Sequence, residues 1–132
     1  MRSMRVTDHG RRVFIAVSCL VLLSSCGNKI VAESDRIRIY EPANNETVSS
    51  PFILRGEART FENNVRFRLK DSEGNILVDS FTTAAGEMGT FGSFEAEVSF
   101  GLLSGKEGML EIFEESAEGG SEIGRVSIPV RF

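Results

Sequence analysis

The 132-residue sequence has no Trp, one Tyr (Tyr40), one His (His9) and two Cys (Cys19 and Cys26). The His and both Cys fall within the first 26 positions, so everything after Cys26 is without imidazole or thiol. That stretch cannot form a disulfide. It cannot carry Ser–His or Cys–His nucleophilic catalysis, and it lacks the ligands of an ordinary zinc site. Long apolar runs are missing too. The run Val13–Leu23 is only about half the roughly 20 residues that a membrane-spanning helix needs. Basic charge is in short supply: 15 Lys+Arg stand against 19 Asp+Glu, net −4. Such a chain does not draw nucleic acid by its overall field.

What is present begins with an address. Arg2, Arg5, Arg11 and Arg12 precede the apolar run, and small residues close it. A basic head, a short apolar middle and a small-residue exit predict a cleaved secretory signal peptide over residues 1–25. A short buried helix is the plainer alternative, which the flanking charge argues against. Leu23-Ser24-Ser25-Cys26-Gly27 resembles the lipobox of bacterial lipoproteins. The resemblance implies that the Cys26 thiol is acylated and that Cys26 becomes the mature N-terminus. A diacylglycerol brings two acyl chains, which hold a protein stably where one holds it marginally. Ordinary cleavage nearby, with Cys26 left as a free thiol, is the alternative. Arg11-Arg12-Val13-Phe14-Ile15 is also similar to a twin-arginine export motif, without its preceding polar residue and following Lys. The expected location is the extracytoplasmic face of the cell membrane. Gly27, rather than a retention Asp, permits an outer membrane where the cell has two.

Removing residues 1–25 takes away four Arg and one Asp, leaving 11 basic and 18 acidic residues, net −7. Residues 26–35 are polar and mixed and read as a lipidated N-terminus and tether. Residues 36–132 are enough for one domain with a modest core. Val65, Phe67 and Leu69 alternate with Arg66, Arg68 and Lys70, the clearest period-two pattern in the chain. Similar patterns predict strands over 36–40, 52–58, 76–83, 94–100, 109–116 and 123–132. Asp71-Ser72-Glu73-Gly74-Asn75 is a hairpin signal. Gly56 inside a strand predicts a bulge or a close backbone approach, and Pro129 an edge or a bulge. About seven short strands without a helix predict an all-β, immunoglobulin-like antiparallel β-sandwich, with phenylalanines filling the core.

Several stretches carry a family resemblance in order along the domain. They are Ile39-Tyr40-Glu41-Pro42, Val48-Ser49-Ser50-Pro51-Phe52, Leu54-Arg55-Gly56-Glu57-Ala58, Phe61-Glu62, Gly92-Ser93-Phe94-Glu95, Phe113-Glu114-Glu115-Ser116-Ala117 and Ile128-Pro129-Val130. Together these resemble the immunoglobulin-like domain of bacterial spore germination. The resemblance implies an immunoglobulin-like sandwich and a non-enzymatic protein. The sequence departs from the family at Gly119, where members commonly show Asp.

Candidate chemistry is sparse. Glu95 with Glu97, or Glu114 with Glu115, could be a carboxylate pair, though strand-borne acids are usually only solvated. Asp71, Glu73 and Asn75 sketch a calcium loop but read better as a plain hairpin turn. No cofactor and no metal are expected. Arg66, Arg68 and Lys70 form a basic stripe on one strand face. It is either a cross-strand ladder with acids such as Glu111 or a partner-binding face for an envelope protein or cell-wall polymer. The expected role is a lipid-anchored binding or assembly module, with a cell-wall or carbohydrate binding module as the alternative.

Overall fold

Apolar residues at every second position give the chain its strands, and Gly, Asn, Asp and Pro set where each stops. The computed structural model describes residues 27–101 and 104–132. Cys26 and the expected signal peptide lie outside the described residues. The strands are β1 (Ala32–Glu33), β2 (Ile37–Glu41), β3 (Glu46–Thr47), β4 (Phe52–Ala58), β5 (Asn64–Asp71), β6 (Ile76–Thr83), β7 (Gly92–Val98), β8 (Glu107–Glu115) and β9 (Glu122–Arg131). One sheet has the order β1-β2-β4-β7 and the other β3-β9-β8-β5-β6. Every pairing is antiparallel except the short β3–β9 contact. The fold is the expected all-β, immunoglobulin-like sandwich.

The seven expected strands are β2, β4 and β5 to β9, each within two residues of its expected limits. β1 and β3 are additional. β1 corrects the reading of residues 26–35 as free tether. The Val31 N–H donates to Ile39 O at 2.8 Å, the Ser34 N–H to Ile37 O at 2.8 Å, and Ser34 Oγ to Gly124 O at 2.8 Å. The outer edge of β2 carries backbone groups that need partners, and residues 31–34 supply them. The described residues before β1 belong to no strand, and Gly27, Asn28 and Lys29 line a shallow cavity with Tyr40, Glu41 and Arg55.

The core is aliphatic at its centre. Ile37, Ile39, Leu54, Val65, Leu69, Leu110, Ile112 and Ile128 have no exposed surface. Burying each contributes about 1.5–3 kcal/mol against leaving it in water. The phenylalanines do not fill this centre. Phe67 and Phe94 are buried within it, whereas Phe52, Phe100 and Phe132 form a tilted chain of rings at 6.1 and 5.3 Å. Phe61 and Phe81 face solvent. Inward aliphatics from two facing sheets already occupy the space between them, so rings are left to the periphery. Gly56 makes the expected close approach: a Cβ there would meet Arg38 O at 2.2 Å. The β2–β4 register also shifts beside it, between Ile39 and Glu41. Pro129 sits on β9 just before β3 begins to pair, so its missing N–H leaves that short ladder intact.

Candidate functional site

The basic stripe lies on the outer face of the five-stranded sheet, where it forms a ladder of ion pairs. Arg66 donates to Asp79 at 2.9 Å and lies 3.6 Å from Glu115. Arg68 donates to Glu111 at 2.7 and 2.9 Å and to Glu122 at 2.8 Å. Lys70 reaches Glu111 at 3.3 Å, and Arg125 pairs with both Glu111 and Glu122. Expected Glu111 is thus the hub, with Glu122 and Arg125 as members that the sequence pattern did not single out. β9 supplies both, and only its pairing with β8 brings them alongside.

Glu111 is 7% exposed. Burial pushes its carboxyl up, but hydrogen bonds from Arg68 and Lys70 outweigh that and hold it below the ordinary value. Glu122 is held low in the same way, against burial, by Arg68 and Arg125. The hydrogen bond to Glu111 raises Arg68 in turn. The Arg68 guanidinium also lies 4.9 Å from the centroid of Phe113, a buried ring on this outer face. The positive charge of Arg66, Arg68 and Lys70 is therefore compensated within the domain.

The other sequence candidates separate. The Asp71 carboxylate accepts from the N–H groups of Glu73 and Asn75 at 3.0 and 2.9 Å and from the Asn75 side chain at 2.9 Å. The Asn75 side chain and these amides hold its carboxyl below the usual range. These are the bonds of a hairpin turn. Glu95 and Glu97 are exposed on β7. Glu114 is buried and Glu115 exposed, so the two do not converge on one site.

Glu114 instead builds the most distinctive surface of the domain. The chain enters beside Glu41 and Asn44, where Asn44 Nδ2 donates to Val31 O at 3.4 Å. The β2–β4 register places Ile37 and Ala58 at the opposite end. There a 3₁₀ turn, Phe61–Asn63, connects β4 to β5. Glu62 (φ 52°) and Asn63 (φ 57°) both occupy the left-handed region. That costs an L residue about 1 kcal/mol or more, less for Asn. Glu114 holds the turn by accepting from the Phe61 N–H at 2.8 Å and from Arg36 Nη1 at 2.8 Å. Asn63 Nδ2 adds a bond to Gly86 O at 3.0 Å.

The turn presents Phe61, 54% exposed, to solvent. On one side lies an open groove of about 400 Å³ lined by Glu62, Asn64, Arg66, Glu115, Ser116 and Gly120. On the other lies a cleft of about 210 Å³ lined by Arg36, Arg59, Thr60, Met88 and Gly89. Met88 is also largely exposed. Period-two reasoning passes over this turn because Phe61 belongs to no strand. Its sequence signals are a lone aromatic among Thr60, Glu62, Asn63 and Asn64 and the place of Phe61-Glu62 among the stretches of family resemblance.

No helix among the described residues is long and apolar enough to cross a membrane. The chain matches no curated protein and no solved structure. A family match covers residues 36–121, from the start of β2 through the turn before β9. By that match the chain belongs to the family of immunoglobulin-like domains of bacterial spore germination.

Proposed function

We propose that this chain is a non-enzymatic binding or assembly module, held at the extracytoplasmic face of the cell membrane by lipid on Cys26. The observation that carries the reading is Phe61. It is a large, bare apolar side chain on a turn with two left-handed non-glycine residues, held from below by a buried carboxylate. Exposing that ring costs stability, and a partner that covers it recovers the cost. The lipobox resemblance supports the anchor. Five residues from Cys26 to Val31 span at most about 17 Å, so the domain rides close to the bilayer with its Phe61 end turned away.

The test has two parts. Cys26→Ser should abolish incorporation of labelled palmitate and release the protein from the membrane fraction. Retention of both label and membrane would end the anchor reading. A photocross-linker replacing Phe61 should give a discrete protein adduct. Adducts to wall glycan alone favour a carbohydrate-binding module, a reading supported by the polar Asn64 and Ser116 that line the groove beside the ring.

A further inference from the structure

The smaller cleft beside Phe61 combines two arginines, a buried threonine and an apolar rim. Arg36, Arg59, Thr60, Phe61, Met88 and Gly89 line it. Phe61 and Met88 form the rim and are 54% and 66% exposed. The two guanidiniums differ. Arg36 Nη1 donates to Glu114 at 2.8 Å and its Nε lies 3.8 Å from Asp35, so its charge is compensated. Arg59 has no ion pair among the described residues. Every other described arginine is ion-paired except Arg131, which stands opposite Glu107 in the β8–β9 ladder.

Arg59 is nonetheless held in place. Its backbone N–H donates to Arg36 O at 2.9 Å, and its Nε donates to Asp35 O at 2.7 Å. The guanidinium lies over the Phe91 ring, 5.1 Å from its centroid. Neither terminal nitrogen has a hydrogen-bond partner among the described residues. A guanidinium fixed in this way can take a carboxylate end-on through two parallel N–H groups. The second signal is Thr60. It is 2% exposed, and its Oγ1 has no hydrogen-bond partner. Buried hydroxyls are normally satisfied, and one left without a partner costs stability. A carboxylate offers an acceptor to both the hydroxyl and the guanidinium.

We propose that this cleft binds the carboxylate of an acidic residue in a partner protein, while an apolar neighbour of that residue covers Phe61 and Met88. The proposal deepens the binding-module reading at Phe61 and rests on it. The cleft, at about 210 Å³, is smaller than the roughly 300–1,000 Å³ of sites that enclose a whole small molecule. It therefore takes one residue of a longer segment. The rim decides between sources of the anion. A phosphate or sugar polymer would meet the guanidinium but leave Phe61 and Met88 bare, whereas a peptide carries an acid and an apolar side chain side by side. The overall acidity of the domain works against long-range attraction of such a partner. Selectivity comes instead from contact at Arg59, Thr60 and the rim.

The test is an NMR titration of the full-length protein in detergent micelles with three short blocked peptides. Each carries a central Leu-X-Leu in a Gly-Ser background, with Glu, Gln or Lys at X. The Glu peptide should bind at least tenfold more tightly than the other two and shift the Thr60 amide and the Arg59 Nε–H signals. Arg59→Gln should remove the preference for Glu over Gln, and Arg59→Glu should turn it toward Lys. Thr60→Val keeps the packed shape and removes only the hydroxyl. Binding of the Glu peptide should fall severalfold while the urea midpoint holds or rises, a split that a purely structural role for Thr60 would not give. Phe61→Ala should weaken the Glu and Gln peptides alike, and circular dichroism checks that each variant is folded. No preference for Glu, shifts confined to other parts of the domain, or an unchanged preference in Arg59→Gln overturns the inference. So does poly(glycerol phosphate) that displaces the Glu peptide, which gives the cleft to a wall phosphate. A photocross-linker at Phe61 whose protein adduct persists in an Arg59→Gln background rejects the carboxylate site alone and leaves the binding-module reading standing.

Discussion

Replacing Gly56 by Ala tests the packing of the sandwich most directly. Gly56 lies in β4 with Ile39 of β2 on one side and Phe94 of β7 on the other. An added Cβ would sit 2.2 Å from Arg38 O, 2.9 Å from Phe94 Cζ and 3.1 Å from Phe94 Cε1. Ordinary contact begins near 3.4 Å. The ring is buried, so it has little room to swing aside. The carbonyl belongs to the backbone of β2, so relief requires the two strands to part by about 1 Å. Overpacking a core costs about 1–3 kcal/mol, and a backbone clash belongs at the upper end. For a domain of this size each kcal/mol lowers Tm by about 4–8 °C, which makes the expected loss roughly 15 °C. Far-UV circular dichroism during thermal unfolding reads it, and urea unfolding reads the free energy, neither needing a tryptophan. Gly119→Ala is the control: φ is 93° and nothing lies within 4 Å, so only backbone strain of about 1 kcal/mol applies. A Gly56→Ala domain within about 0.5 kcal/mol of the parent, the size of an ordinary surface change, or more stable than Gly119→Ala, would refute the argument.

Other perturbations act on the buried carboxylates. Glu111→Ala strands Lys70 and weakens Arg68, which keeps Glu122, so the loss should be about 3 kcal/mol in urea unfolding. A neutral effect would mean the hub contributes no stability. Acid should act through the same groups. The carboxyls of Glu111, Glu122 and Asp71 are lower folded than unfolded, so their stabilisation is present above the unfolded values, about 4. It is lost as pH falls through the depressed folded values. Urea midpoints should hold from pH 7 to about 5 and fall below about 4, and a flat profile down to pH 2.5 would contradict the assignment. Glu114→Gln keeps the shape but removes the charge that faces Arg36 and the Phe61 N–H. Exchange of the Phe61 amide should quicken roughly tenfold, about 1.4 kcal/mol, with little change in global stability. Unchanged exchange would show that the turn holds itself.

The strands were legible because alternation survives even where a strand is only half-buried. Val65, Phe67 and Leu69 face inward and their basic neighbours outward, as the period requires. Period two fixes a face, not a neighbour. Glu111 could be proposed as a partner of the stripe, but Glu122 and Arg125 join it only because β9 pairs with β8. Two-residue strands show no period at all, so alternation announces neither β1 nor β3. The Phe61 turn was hidden for a related reason. Its conformation comes from a carboxylate 53 residues away, and no local pattern announces such a contact. The number of phenylalanines does not disclose the aliphatic centre, because which side chains fill it depends on the positions the two sheets turn toward each other.

The shortness of β1 has a mechanical consequence. With Cys26 as the anchor, any pull between membrane and partner reaches the domain first through β1. It is held by the two residues paired with β2, the flanking bonds at Val31 and Ser34, the Glu33–Arg38 ion pair at 3.6 Å and the Ser34 Oγ bond to Gly124 O of β9. β1 contributes only Ala32 to the periphery of the core, whereas β2 contributes Ile37 and Ile39. Load therefore strips residues 31–34 before it strains the sandwich, lengthening the leash by about 14 Å at roughly 3.4 Å per residue. With the chain so anchored, the expected behaviour is that of a clip that opens under tension and extends the reach of the bound surface.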